Sequence, residues 1–150
     1  MIAKKNTPSK SKGFSLVELL VLVAIIAILA GLSGLALMKW IPQANLKRAA
    51  RTIASMCQHA KIEAIKLNKS TSMTCNSTTN TCSILLVSDS TQLRFLDLNN
   101  IRGVQVTNTA TTTFTNRGRA TPANTFIVRN DAGNQLNIVV SPSGGVATRY

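Results

Sequence analysis

Groups able to do chemistry are few in this chain and lie far apart. Five carboxylates, Glu18, Glu63, Asp89, Asp97 and Asp131, are scattered over 150 residues, and His59 is the only imidazole. General acid–base catalysis needs such groups brought to one reacting atom, and so thin a supply argues against an enzyme. Cys57, Cys75 and Cys82 are the only thiols and, with His59, too few for a typical metal cluster. A zinc site built from them is disfavoured, because residues two apart on a helix, as 57 and 59 would be, point to different faces. No catalytic residue, metal or cofactor is expected. What stands out is charge. Lys and Arg number 17 against the five acids, a formal +12, which suits anionic partners such as phospholipid headgroups or nucleic acid without choosing between them. One acid is oddly placed: Glu18 sits at the mouth of an uncharged run of twenty residues, Leu19 to Met38.

That run is the first positioning element. About 20 apolar residues are enough to cross a bilayer as a helix. Before it comes the polar leader "MIAKKNTPSKSK", with Lys4, Lys5, Lys10 and Lys12. A basic segment before an apolar one is also the pattern of a cleaved secretory signal, and "GLSGLA" (Gly31 to Ala36) is a passable cleavage site. Two features oppose an ordinary signal peptide. The run is longer than the usual 7–15 apolar residues of such a segment, and a helical pattern continues past it. Leu46, Ala49, Ala50, Ile53, Met56, Cys57, Ala60, Ala64 and Leu67 recur three and four apart, the stripe of an amphipathic helix. Lys47, Arg48, Arg51, Lys61 and Lys69 fall mainly off it. Pro42 should bend this helix without necessarily ending it. One helix from Phe14 to Asn68 is therefore expected, greasy all round at first and one-sided afterwards.

From Ser70 the composition turns to Thr, Ser, Asn and Val. "SMTC", "SILLVS", "QLRFLDL", "GVQVTNT", "TFTNRG", "TFIVRN" and "LNIVVS" read as short strands between turn residues. The clearest hairpin is "FIVRNDAGNQLNIVV", turning at Asp131-Ala132-Gly133-Asn134. These strands need a cover, and the helix stripe supplies it. The expected fold is α+β, a long N-terminal helix packed on a small antiparallel sheet.

"KGFSLVELLVLVAIIAILA" resembles the class III signal of type IV pilins and type II secretion pseudopilins, with Gly13, then aromatic Phe14, then Glu18 as the fifth residue of the mature chain. "TSMTCNSTTNTC" and "FTNRGRATPANTFIVRNDAGNQLNIVVSPSGG" resemble, more loosely, the GspH/FimT branch of minor pilins and pseudopilins. The resemblance implies that a prepilin peptidase cuts between Gly13 and Phe14 and methylates the new amino terminus. Removing the four leader lysines would lower the formal charge from +12 to +8 and leave 137 residues. The implied organisation is a leader at 1–13, a transmembrane and filament-core helix at 14–41, an amphipathic half at 42–69, and a periplasmic β-rich part at 70–150. The subunit would sit in the inner membrane as a single-pass protein before joining a filament. Gly13 also makes independent sense, since an unhindered residue lets the scissile backbone enter a protease cleft.

Glu18 then has a reason. An acid in a membrane helix costs about 2.5–3.5 kcal/mol at the centre and less near an end, and such acids are usually paired. The resemblance implies pairing with the amino terminus of a neighbouring subunit, which sets axial stagger. Its own first turn, where the helix dipole favours negative charge, is the local alternative. Cys75 and Cys82 flank the turn-rich loop "NSTTNT" between two strands. Facing cysteines across a hairpin in an oxidising compartment favour a disulfide. Cys57 on the stripe reads as a buried apolar residue, and His59 as a solvated or capping one.

Two roles follow. One is structural: a minor subunit of a type II secretion machine or type IV pilus, whose partners are other pilins, the peptidase, membrane lipid and exported protein. The other is DNA capture, as in FimT-like minor pilins, through Arg117, Arg119, Arg129 and Arg149, with Arg102 nearby. Phosphate neutralisation by clustered arginines on a loop or tail is what that would need. The tail departs from the Gly-Arg-x-Arg pattern of DNA-binding relatives: "SPSGGVATRY" has Gly145 where the first arginine would fall.

Overall fold

The computed structural model describes residues 13–149, and within them the side chains of 32–39 are left out of the description. Tyr150 and all of the expected leader except Gly13 lie outside the described residues. One helix, α1 (Leu16–Lys66), is followed by nine strands among the described residues: β1 (Thr71–Asn76), β2 (Thr81–Leu86), β3 (Gln92–Asp97), β4 (Val104–Val106), β5 (Ala110–Phe114), β6 (Ala120–Thr121), β7 (Thr125–Asn130), β8 (Gln135–Val140) and β9 (Val146–Arg149). The chain divides into two compact units, one ending at Leu37 and one starting at Met38.

In the first unit the chain enters α1 through Ser15, whose carbonyl accepts the N–H groups of Glu18 (3.1 Å) and Leu19 (3.2 Å). Serine is favoured just before a helix. Every side chain from Gly13 to Gly31 is exposed, on all sides of the helix. A helix apolar all round has to be covered by something outside itself. Among the described residues no helix is long and apolar enough to cross a membrane. The apolar run of the sequence continues into residues 32–39, whose side chains are not described.

In the second unit α1 has the expected stripe. Leu46, Ala49, Ala50, Ile53, Met56, Cys57, Ala60 and Ala64 are all buried. Four of these eight are alanine, so the helix axis can lie close to the strands. Leu67 departs from expectation: it is exposed, because the helix has already ended. Asn68 adopts a left-handed φ of 51°, its N–H bonds the Ile65 carbonyl, and the Lys69 N–H bonds that of Ala64. This is a Schellman stop, with asparagine tolerating the left-handed position. Pro42 lies inside α1 and does not end it.

The strands form two sheets, where one was expected. The first has the order β3-β2-β1-β5-β6 and the second β4-β7-β8-β9, with every pairing antiparallel. The chain leaves the first sheet after β3 through a 3-10 turn at Leu98–Asn100, makes β4 in the second, returns for β5 and β6, and finishes in the second. In-out alternation of side chains is the same in either sheet, so the pattern in the sequence could not reveal the crossing. Phe114, Met73 and Ile84 of the first sheet and Phe126, Val128 and Ile138 of the second share one core with the α1 stripe. The segment "TFTNRG" was placed too late: the strand is Ala110–Phe114, and residues 115–119 turn back.

Asparagine side chains join the sheets. Asn80, buried and at φ 55°, donates to the Val104 carbonyl (3.0 Å) and accepts from the Val106 N–H (2.9 Å). It thus fastens the β1–β2 turn to β4. Asn108 does the same between the β4–β5 connection and β7, donating to Thr125 (2.7 Å) and accepting from Ile127 (2.8 Å). A side-chain amide offers a donor and an acceptor on one rigid fork, so it can extend a ladder that has run out of strand.

Candidate assembly site and nucleic-acid interface

The residues singled out for processing and assembly stand at the start of the first unit. A Cβ built on Gly13 would meet nothing within 4 Å, so a side chain there would stand in open space. Phe14 is 84% exposed and precedes the helix. Glu18 is in the first turn of α1 and exposed. Its carboxylate is free to meet a cation from outside its own chain. Beyond it Leu19, Leu20, Leu22, Ile25, Ile26 and Leu29 present apolar surface outward.

Cys75 and Cys82 are directly opposed in the β1–β2 register and form a disulfide. Both side chains are buried on the core face. The enclosed turn is well held: Asn76 Oδ1 accepts the Thr78 N–H (2.8 Å), and the Ser77 N–H donates to Thr109 Oγ1 (3.1 Å). Cys57 is free and wholly buried, and burial pushes its thiol up to about 12. His59, expected to be solvated or capping, is half-buried: its Nδ1 is buried without a hydrogen-bond partner, and its Nε2 lies 4.0 Å from Glu63, which also faces Lys66 at 3.7 Å. Among the described residues no three of His, Cys, Asp and Glu converge to hold a metal.

The four arginines named for DNA stand on different elements, one turn and two strands. Arg117 and Arg119 flank Gly118 in the turn that reverses β5 into β6, closed by the Thr115 N–H on Arg119 O (2.8 Å) and the Gly118 N–H on Thr115 O (2.8 Å). Gly118 and Gly144 both have φ near 75°, and a Cβ on Gly144 would collide with the Gly118 carbonyl oxygen. Glycine is therefore required where the 115–119 and 141–145 turns touch. Lys61 on α1 clamps the pair, donating from Nζ to the Gly144 carbonyl (3.1 Å). Sequence reasoning gave Lys61 no role, and its only visible sign was a lysine near the edge of the stripe.

Arg129 and Arg149 lie elsewhere. Arg129 is exposed on β7 opposite Gln135, and the far end of its side chain lies near Gly133 in the 131–134 turn. Arg149 was expected in a tail but is in β9, opposite Asn137 of β8. The strand was missed because it is short and lies at a sheet edge with little burial, so no alternation marks it. Neighbouring Thr148 shares a groove with Lys47, Ala50, Arg51 and Leu136. Arg102 lines another, with Ile41, Pro42 and Asn45, and its carbonyl accepts from Asn45 Nδ2 (3.0 Å). Arg117 and Arg119 thus flank the turn that meets Lys61, while Arg149 lies on the strand whose Thr148 shares a groove with Lys47. The two lysines are fourteen positions or about 21 Å apart along a helix rising 1.5 Å per residue.

Comparison with known proteins agrees with this geometry. Residues 8–34 match the prokaryotic N-terminal methylation motif, the stretch that holds Gly13, Phe14 and Glu18. None of the curated proteins searched matches the chain. Among solved structures, a crystal structure of the type IV minor pilin FimU of Pseudomonas aeruginosa superposes with a TM-score of 0.60 at 19% identity, covering 74% of this chain and 92% of that one. A second crystal form of FimU gives 0.56, also at 19% identity, over 70% and 93%. At such identity the likeness is one of fold: a long N-terminal helix with antiparallel sheets. Residues 49–144, which hold the lower helix, strands β1 to β8, the disulfide and the two touching glycines, match the family of the type II transport protein GspH. The chain therefore belongs to the GspH family, a family of structural pilin and pseudopilin subunits that are not known as enzymes.

Proposed function

We propose that this chain is a minor subunit of a type IV pilus or type II secretion filament, processed between Gly13 and Phe14, anchored in the inner membrane and then assembled through the first part of α1. The observation that carries this is the exposed apolar surface on every side of the helix from Phe14 onward. Among the described residues every buried one lies at Leu46 or later, and on this reading the cover comes from lipid first and from neighbouring subunits' helices afterwards. Glu18, exposed in the first turn, would pair with the methylated amino terminus of a neighbour and set the stagger. The disulfide suits a second unit that lies outside the cytoplasm. A minor rather than major role fits the charge, since +8 on every subunit of a long polymer would repel strongly. DNA capture has weaker support, because its arginines are divided between the 115–119 turn and strands of the second sheet.

Mass spectrometry of the membrane fraction is the test. The expected mature chain begins at methylated Phe14. A chain beginning near Leu37 would mean an ordinary signal peptide and would end the filament proposal. Glu18→Ala, which makes the helix more apolar, should leave insertion intact and lower incorporation into filaments. Normal assembly of that variant would remove the stagger role while leaving the processing result untouched.

A further inference from the structure

We infer that the exposed face of α1 from Trp40 to Arg51 is a docking surface for anionic phospholipid headgroups, holding the second unit down on the membrane. The inference rests on the membrane anchoring proposed above and adds a lipid preference to it. Trp40, Ala44, Lys47, Arg48 and Arg51 recur at helical spacing and line one open groove along the helix, together with Gln43 and Thr52. This face turns away from the buried stripe of Leu46, Ala49, Ala50 and Ile53, with Lys47 and Arg51 at its edge, where they also border Leu136 and Thr148. Trp40 is 67% exposed and Ile41 is also exposed. An exposed tryptophan beside bare cations is what the boundary between hydrocarbon and headgroups selects, since the ring is amphipathic and the cations meet phosphate.

The local charge has no internal use. Among the described residues no carboxylate lies within salt-bridge distance of Lys47, Arg48 or Arg51. Asp97 shares a groove with Arg48, but its Oδ1 already accepts from the Asn99 backbone (2.9 Å) and side chain (2.8 Å). Asp131 lies in the next groove beside Arg102. Orientation in the membrane does not account for these cations either. Four lysines precede the apolar run, and Lys39, Lys47, Arg48 and Arg51 follow it within fifteen residues. An excess of cations is expected on the cytoplasmic side alone, so a matching set on the other side needs another reason. Nucleic acid fits this face less well, because Trp40 is its one aromatic and the apolar run ends two residues before it.

Trp40 is the only tryptophan and so reports on its own surroundings. The full chain would be reconstituted in nanodiscs carrying a trace of dansyl-labelled phosphatidylglycerol or, in parallel, dansyl-labelled phosphatidylcholine. Energy transfer from Trp40 should show the anionic lipid enriched around it by at least about fivefold, the effect of one basic residue contributing about 1 kcal/mol. The variant Lys47→Gln/Arg48→Gln/Arg51→Gln should abolish the preference, while Arg117→Gln/Arg119→Gln keeps it. Salt near 1 M, where screening acts within about 3 Å, should abolish it in the parent, so the conclusion does not depend on how the variant folds. Equal transfer to both lipids in a properly inserted chain would overturn this inference alone. Failure of the chain to insert would overturn it together with the membrane anchoring. A duplex DNA that binds the inserted chain through these same three residues, with no lipid preference, would assign the face to nucleic acid.

Discussion

The two units share one helix and satisfy it in opposite ways. Up to Gly31 the apolar side chains of α1 point outward on every side and none is buried. From Leu46 the apolar residues narrow to a stripe, and each stripe residue as far as Ala64 is buried under the sheets. Backbone hydrogen bonding is the same in both stretches. The difference is where the cover comes from: the second unit carries its own, and the described residues of the first have none within the chain. A core substitution in the second unit should therefore be felt by the isolated subunit. A substitution on the first should be felt only in the assembly.

The sharpest way to break that contrast is to hollow the core. Phe126 is wholly buried where the second sheet meets the helix, and Phe126→Ala should destabilise the subunit by about 3–5 kcal/mol, read from urea unfolding in detergent. A loss below about 1 kcal/mol would mean that the second unit does not depend on this core. Reducing the Cys75–Cys82 disulfide should cost about 2–3 kcal/mol, since it closes a short loop in the unfolded chain. The same melts under reductant would show it, and an unchanged midpoint would count against the bond.

Cys57 adds a pH-dependent test. Burial raises its thiol from 9.0 to about 12, so between those values the folded chain holds a proton that the unfolded chain releases. Stability should be unaffected by this thiol below pH 9 and fall by about 1.4 kcal/mol per pH unit above it, until about pH 12. Cys57→Ala should flatten that slope, and an equal slope in the variant would place the titration elsewhere. The smallest effect belongs to the first unit. Leu22→Ala removes an exposed side chain and should change the urea midpoint by less than about 0.5 kcal/mol. Incorporation into filaments should nevertheless drop. A large loss in the isolated subunit would show that Leu22 is covered within its own chain.

Much of this was legible in the residues because it rests on short-range periodicity. The stripe read from Leu46 to Leu67 marks the helix and, as far as Ala64, its buried face, and Asp131 to Asn134 marks the β7–β8 turn, since three- and four-residue spacing and turn chemistry are local. Gly13, Phe14 and Glu18 were found as a motif, and the family match to residues 8–34 falls on them. What stayed hidden depends on residues far apart in sequence. Nothing at Asn80 announces that its amide will bridge to Val104 and Val106, and a four-residue edge strand such as β9 has no alternation to betray it. Arg117, Arg119, Arg129 and Arg149 are close together in composition, but only the strand order separates the first two from the others.

The sequence by itself determined where the chain is uniformly apolar, where it becomes one-sided and where it must turn, because those properties follow from each residue's own solvation and backbone freedom. Tertiary structure alone decided that the strands divide into two sheets, that Gly118 and Gly144 come into contact under Lys61, and that Arg117 and Arg119 fall in a turn of the first sheet while Arg129 and Arg149 fall on strands of the second. The physical reason is that in-out alternation fixes which face of a strand is buried but not which strand lies beside it. That choice is made by packing over a common core and by long-range hydrogen bonds such as those of Asn80 and Asn108.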